Sequence, residues 1–275
     1  MSPSRTYPPG VPCWIDLEPA DTDAAVDFYT ALFGWRFDDA APPGSPEFYL
    51  IASLDGADVA AIGPHRGESG WNTYVAVESA DEAAERVAGA GGRVETGPHD
   101  AGPGGRWAGC TDPDGASFRL WEARRRPGAQ AVNVPAAWNF SDLHTHDPDG
   151  AEAFYADLFG WVGAPMAEGG TMVRVPGYGD HLAATSDPGI HERQVHTPPG
   201  FADVVGAIVP AGPGEDPHWH VTFTVADRDA VAEAAHRLGG TVLAVDDAPW
   251  SRQATLRGPT GEVFTVSQFT PAAVV

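Results

Sequence analysis

Two pairs of residues in this chain carry chemistry at strand spacing: Asp142 and His144 in WNFSDLHT, and His218 and His220 in HWHVTFT. Side chains of a strand alternate between its faces, so the two members of each pair look the same way. A histidine beside a carboxylate is a proton-transfer pair that can be tuned around neutral pH. Two histidines and a carboxylate can also form the facial three-ligand set that holds iron. Both chemistries stay open on residue types alone, with Asp142, His144 and His220 as the catalytic candidates. On the same strand faces stand Trp138, Phe140, His218, Thr222, Thr265 and Ser267, and Arg252 starts a nearby strand. A second set, Trp14, Asp16, Glu18, Asn72, Tyr74, Arg119 and Trp121, alternates likewise in the first half. These are the candidate ligand-binding residues. Aromatic rings interleaved with charge suit a small-molecule site, where the rings supply stacking surface that would be costly to leave in water.

The elements that must position them are repeated. FYTALFGW at 28–35 returns as FYADLFGW at 154–161, six of eight residues being identical, and DEAAERVAGAGG (81–92) resembles DAVAEAAHRLGG (229–240). TDPDGASFRLW (111–121) similarly resembles RGPTGEVFTVS (257–267). WIDLE alternates as a strand, Asp21 offers an N-cap, and Val26, Tyr29, Leu32 and Phe33 form a helical stripe stopped by Gly34. Strand-like runs near 35–39, 47–54 and 58–63 follow, separated by turn residues. The unit reads β-α-β-β-β, and four such units fill the chain. The expected class is α+β, with one domain of two units over 8–124, a linker over 125–136, and a second domain over 137–271. The second domain carries an insertion at about 185–200, read either as a lid or as decoration, with His191 and His196 solvent-exposed.

The openings WIDLEPADTDAAVDFYTALFGW and FSDLHTHDPDGAEAFYADLFGW, with the closing TDPDGASFRLW and GPTGEVFTV, resemble the vicinal-oxygen-chelate superfamily of glyoxalases, extradiol dioxygenases and bleomycin-resistance proteins. The tandem layout is similar to its two-domain actinobacterial members. The resemblance implies paired units forming cupped, mostly antiparallel sheets with helices outside and ligand inside. It also implies where a metal would sit: on the opening strands seven residues before the helix-capping residue, and on the closing strands four after the turn glycine. Those positions hold Trp14, Asn72 and Arg119 in the first half and Phe140, His220 and Thr265 in the second. One imidazole among six does not hold a divalent ion tightly, and Arg119 suits an anionic ligand group better than a cation. No cofactor is expected, the alternative being a divalent metal in the second domain bound by a displaced set from Asp142, His144, His218 and His220. Which units pair is open, since pairing unit one with unit four would bring Glu18 to His220.

Sixteen Lys and Arg against 38 Asp and Glu give a formal charge of −22, which repels phosphate backbones and anionic lipid surfaces. Nucleic acid and membrane are therefore not expected partners; a small molecule is, with the protein a monomer or homodimer. The start MSPSRTYPPG lacks a signal-peptide pattern and no run approaches a membrane span, so a cytoplasmic location is expected. Cys13 and Cys110, without metal spacing, read as reduced core residues. The expected function is an enzyme acting on an aromatic or polycyclic organic molecule, secondary metabolites included, by metal-independent acid–base chemistry of isomerase, cyclase or lyase type. Two alternatives stand beside it: a non-catalytic drug-binding protein of the bleomycin-resistance kind, favoured by the charge, and a metal-dependent lyase or dioxygenase.

Overall fold

Four helices start the same way, because four short polar side chains reach forward to an orphan backbone N–H. Asp21, Ser79, Asp147 and Asp227 accept from the N–H groups of Ala24, Glu82, Gly150 and Ala230. The computed structural model describes residues 4–41, 45, 47–67, 69–166 and 169–270. The first unit runs β1 (Pro12–Glu18), α1 (Thr22–Phe33), β2 (Arg36–Asp39), β3 (Leu50–Leu54) and β4 (Ala57–Ile62). The second runs β5 (Gly70–Val77), α2 (Ala80–Gly89), β6 (Arg93–Asp100), β7 (Gly105–Thr111) and β8 (Ser117–Ala123). In the third come β9 (Ala137–Thr145), α3 (Pro148–Phe159), β10 (Val162–Pro165) and β11 (Thr171–Arg174), then the helices α4 (Tyr178–Thr185) and α5 (Ile190–Arg193), and finally β12 (Val204–Pro210). The fourth has β13 (His218–Thr224), α6 (Arg228–Arg237), β14 (Thr241–Ala248), β15 (Ser251–Arg257) and β16 (Val263–Phe269). The expected β-α-β-β-β unit is thus present four times. Gly34 and Gly160 end α1 and α3 in the left-handed conformation that a side chain would resist, at φ 74° and 69°.

The strands form two eight-stranded mixed sheets, ordered β2-β3-β4-β1-β5-β8-β7-β6 and β10-β11-β12-β9-β13-β16-β15-β14. Units one and two share the first sheet, and units three and four the second, which answers the pairing question at the level of the sheets. Within each unit the opening strand lies parallel to the last one, as in β1 with β4 and β13 with β16. The outer hairpins are antiparallel. Close packing divides the chain differently, into one unit of residues up to Trp14 with Thr73–Gly128 and Ser141–Trp219, and another of Ile15–Asn72, Ala129–Phe140 and His220 onward. Residue 271, the expected end of the second domain, lies outside the described residues.

Each compact unit has its own core, built on the strand faces expected to meet helices. In the first, Phe118, Leu120, Leu143 and Trp219 pack with Phe154, Tyr155 and Leu158 of α3. In the second, Phe223 and Phe264 meet Phe33 of α1 at ring-centroid distances of 5.2 and 6.4 Å. The helical stripe of α1 is shifted from expectation: Ala25, Phe28, Tyr29 and Phe33 are the buried residues. A buried tyrosine meets a buried carboxylate in both cores, Tyr155 donating to Asp112 at 3.1 Å and Tyr29 to Glu262 at 3.0 Å. The carboxylates come from different places in the repeat. Where the second unit has Asp112, the fourth has Gly258, and a Cβ there would stand 1.9 Å from a carboxylate oxygen of Glu262, which occupies that space.

The insertion departs from the long loop expected. Residues 178–185 and 190–193 are helical, and Tyr178, Leu182 and Ile190 are buried in the core of their unit. Apolar burial accounts for this ordering. His191 and His196 are exposed, as expected, and Cys13 and Cys110 are free and buried.

Candidate functional site

On β9, Leu143 faces the helices, which turns its neighbours Asp142 and His144 to the other side of the sheet. The loop from β12 to β13 folds back at Gly212, whose N–H donates to Glu215 Oε2 at 2.6 Å. This leaves Glu215 Oε1 at 2.8 Å from His144 Nδ1 and 3.7 Å from His218 Nε2. The two imidazole rings lie 4.8 Å apart, tilted by 33°. The other nitrogen of His218, Nδ1, lies 2.9 Å from the Asp216 carbonyl. A carbonyl only accepts, so Nδ1 carries a proton, and Nε2 is the nitrogen turned toward Glu215. One ligand atom from each of His144, Glu215 and His218 falls within 4.8 Å of the others. All three side chains are partly open to solvent.

Electrostatics follow from this setting. Burial pushes the His144 imidazole below its ordinary pKa, against the opposing pull of Glu215. Burial also works to raise the Glu215 carboxyl, but the Gly212 N–H and the two histidines outweigh it and hold the group below its usual value. Burial raises Asp142 to about 6, opposed by the N–H of Ala207 on β12. Glu215 was not among the expected site residues. Its signal was the Glu-x-x-His spacing from Glu215 to His218, which a search confined to strand positions passes over.

The remaining expected residues fall into separate groups. His220 Nε2 lies 2.8 Å from Thr265 Oγ1, itself 3.2 Å from Thr255 Oγ1. Thr222 and Ser267 are buried. Asp16 is fully buried, its two oxygens accepting from Asn72 Nδ2 at 2.9 Å and Tyr49 OH at 3.0 Å. Glu18 is buried, with its carbonyl 3.4 Å from His65 Nδ1. Arg119 donates to Tyr74 OH at 2.7 Å and lies 5.1 Å from the centroid of the Trp107 ring, a cation–π distance. Trp121 meets Tyr74 edge-on and donates to the Arg126 carbonyl at 2.8 Å. Trp14 and Trp138 are buried, whereas Phe140 and Trp121 remain partly open. Arg252 is paired with Asp229 at 2.9 Å and Asp247 at 3.4 Å.

The family positions for a metal do not fit one here. Trp14 and Phe140 offer no lone pair, Arg119 is a cation held by Tyr74, and Asn72 donates to Asp16. In the second half, His220 at such a position is joined by Thr265, a poor ligand for a divalent ion. The ligand types gather instead at His144, Glu215 and His218, two to four residues from those positions or in the loop beside them.

Comparison with known proteins agrees with this architecture. The family model for the glyoxalase/bleomycin resistance protein/dioxygenase superfamily matches residues 14–120, and that for a glyoxalase-like domain matches residues 138–267. CFP32 of Mycobacterium tuberculosis (strain CDC 1551 / Oshkosh) is 37% identical over 279 residues, covering 98% of this chain and 99% of its own. The anthracycline biosynthesis protein DnrV of Streptomyces peucetius is 34% identical over 278 residues, 94% of both chains. Among solved structures, the Mn(II)-bound glyoxalase from Novosphingobium aromaticivorans superposes with a TM-score of 0.58 at 17% identity, covering 98% of this chain and 83% of that one.

Proposed function

The chain belongs to the glyoxalase/bleomycin resistance protein/dioxygenase superfamily, and from that footing we propose that it is an enzyme acting on an aromatic or polycyclic organic molecule of secondary metabolism, by proton transfer of isomerase, cyclase or lyase type. The observation that carries this reading is the imidazole–carboxylate pair of His144 and Glu215, 2.8 Å apart, beside Asp142 on the same strand face. The full-length likeness to an anthracycline biosynthesis protein supports the substrate class, anthracyclines being polycyclic aromatic compounds.

In this reading Glu215 orients the His144 ring and favours its protonated form, so His144 can take a proton from a carbon made acidic by a neighbouring carbonyl. Asp142, on the same strand face as His144, returns a proton at a second position, completing an isomerisation or ring closure without an oxidant. Phe140 serves as a ligand-contacting group of the second half, and Trp121 and Arg119 as ligand-contacting groups of the first. The functional units are taken as the two halves 8–124 and 137–271, since β1 to β8 and β9 to β16 each make one sheet. No step runs through an ion at the family positions, whose residues do not fit one; the set with donors for a divalent metal is His144, Glu215 and His218.

The test is turnover of polycyclic phenolic ketones, followed by mass-resolved chromatography. His144→Gln and Asp142→Asn should each lower turnover by roughly 10²–10⁴, the usual worth of acid–base catalysis, with the fold intact. Unaltered turnover in both would sink the proposal. The formal charge of −22 supports capture of a cationic drug as a second reading. Salt-sensitive stoichiometric binding with ligand recovered unchanged would select it.

A further inference from the structure

We infer that His144, Glu215 and His218 form a binding site for one divalent first-row transition ion of borderline softness, such as Zn(II), Co(II) or Ni(II), displaced from the positions its family would use. Three features carry this. The ligand set is two imidazoles and one carboxylate, whose donor atoms lie within 4.8 Å of one another. Ligands at roughly 2.0–2.2 Å from such an ion stand about 3.3 Å apart when tetrahedral. The separations of Glu215 Oε1 from His144 Nδ1 and His218 Nε2, 2.8 and 3.7 Å, bracket that value.

The second feature is the outer support of two of the ligands. Metal-binding imidazoles usually donate their other N–H to a carbonyl or carboxylate, which fixes the tautomer. His218 does so through Nδ1 to the Asp216 carbonyl at 2.9 Å. Glu215 is anchored likewise, its Oε2 taken by the Gly212 N–H at 2.6 Å while Oε1 faces the histidines. The third feature is access: all three side chains keep part of their surface in solvent, so an ion can enter and additional ligand positions can be filled by water or substrate oxygen.

The inference goes beyond the proposed function and alters one role in it. With the ion bound, His144 Nδ1 is a ligand, and proton transfer falls to Asp142 on the same strand face.

Isothermal titration of the chelator-stripped full chain with Zn(II), and absorption spectra with Co(II), test the site directly. One ion per chain at micromolar affinity or tighter is expected, with a Co(II) spectrum of four- or five-coordinate type. His218→Ala and Glu215→Gln should each weaken binding by at least 100-fold, whereas His191→Ala, at an exposed histidine paired with Asp180, should leave it unchanged. A fold-independent readout uses the unsubstituted protein: Zn(II) should shift the imidazole ¹⁵N resonances of His144 and His218 and spare those of His191. Millimolar or substoichiometric binding, equal loss in all variants, or shifts that miss His144 and His218 would overturn the site. A chain that binds the ion but transforms no substrate sinks the functional proposal alone; one that turns over substrate without binding an ion sinks only this one.

Discussion

Tyr49 shares with Asn72 the task of meeting a carboxylate inside this protein. Asp16 is fully buried, and its carboxylate is met by Tyr49 and Asn72 at 3.0 and 2.9 Å. A hydrogen bond to a charged group is worth about 1.5–3 kcal/mol, so Tyr49→Phe should destabilise by an amount in that range, measured by urea unfolding. A loss below about 0.5 kcal/mol would mean that Asp16 is satisfied without it. At the second face, Thr265→Val removes the hydroxyl 2.8 Å from His220 while keeping its volume. If His220 moves a proton, turnover should drop about tenfold, the rate equivalent of 1.4 kcal/mol, with substrate affinity little changed. Asp142, His144 and His218 were legible in the sequence because strand alternation alone puts a residue on a face. Glu215 was not, because it stands in the turn after β12, where no periodicity applies and position depends on the Gly212 contact. Arg252 meets a related limit: alternation gives a face, but not the acidic partners, Asp229 and Asp247, that its long side chain finds.

At the scale of elements, local signals read well and long-range ones did not. Asp21 and Gly34 mark the two ends of α1 as expected, since capping involves atoms within one turn. The tyrosine–carboxylate pairs needed the tertiary structure, Tyr29 and Glu262 being 233 residues apart. Tyr29→Phe and Tyr155→Phe should each cost about 1.5–3 kcal/mol in equilibrium unfolding, and similar costs would show that Glu262 replaces Asp112 energetically as well as sterically. The turn before β8 is tied to the end of β9 by Asp114, which accepts from Thr145 Oγ1 at 2.6 Å and from the His146 N–H at 2.7 Å. The Thr145 hydroxyl leads in holding the Asp114 carboxyl below its usual pKa, with partial desolvation opposing and the His146 N–H assisting. A carboxyl whose folded pKa lies below its unfolded one stabilises above the unfolded value, near 4, and loses that contribution as pH falls through the folded value. Asp114→Asn should therefore be destabilising at pH 7, with the gap to the unsubstituted protein closing below about pH 4. A gap independent of pH would assign the effect to packing instead.

For the whole molecule, repetition and charge set the terms. Four copies of one unit give two sheets with the same strand order, yet the polar faces have diverged: the first half places Arg119 on Tyr74, and the second gathers His144, Glu215 and His218. Among the described residues, no helix is long and apolar enough to cross a membrane. A net charge of −22 adds long-range attraction for a divalent cation and repulsion between copies of the chain. Occupying a site present only in the folded chain stabilises that chain by about 2.7 kcal/mol at a ligand concentration of 100 times Kd. For a protein of this size that is roughly 5–10 °C in the unfolding midpoint, provided the chain unfolds as one cooperative body. Zn(II) at 100 times its measured Kd should produce such a rise in calorimetry. His218→Ala should abolish it at the same Zn(II) concentration, while added Ca(II), which prefers a cage of six to eight oxygens, should not reproduce it. A Zn(II) shift that survives His218→Ala would place the stabilising ion among the other acidic groups of this highly charged chain, and not at the histidine pair.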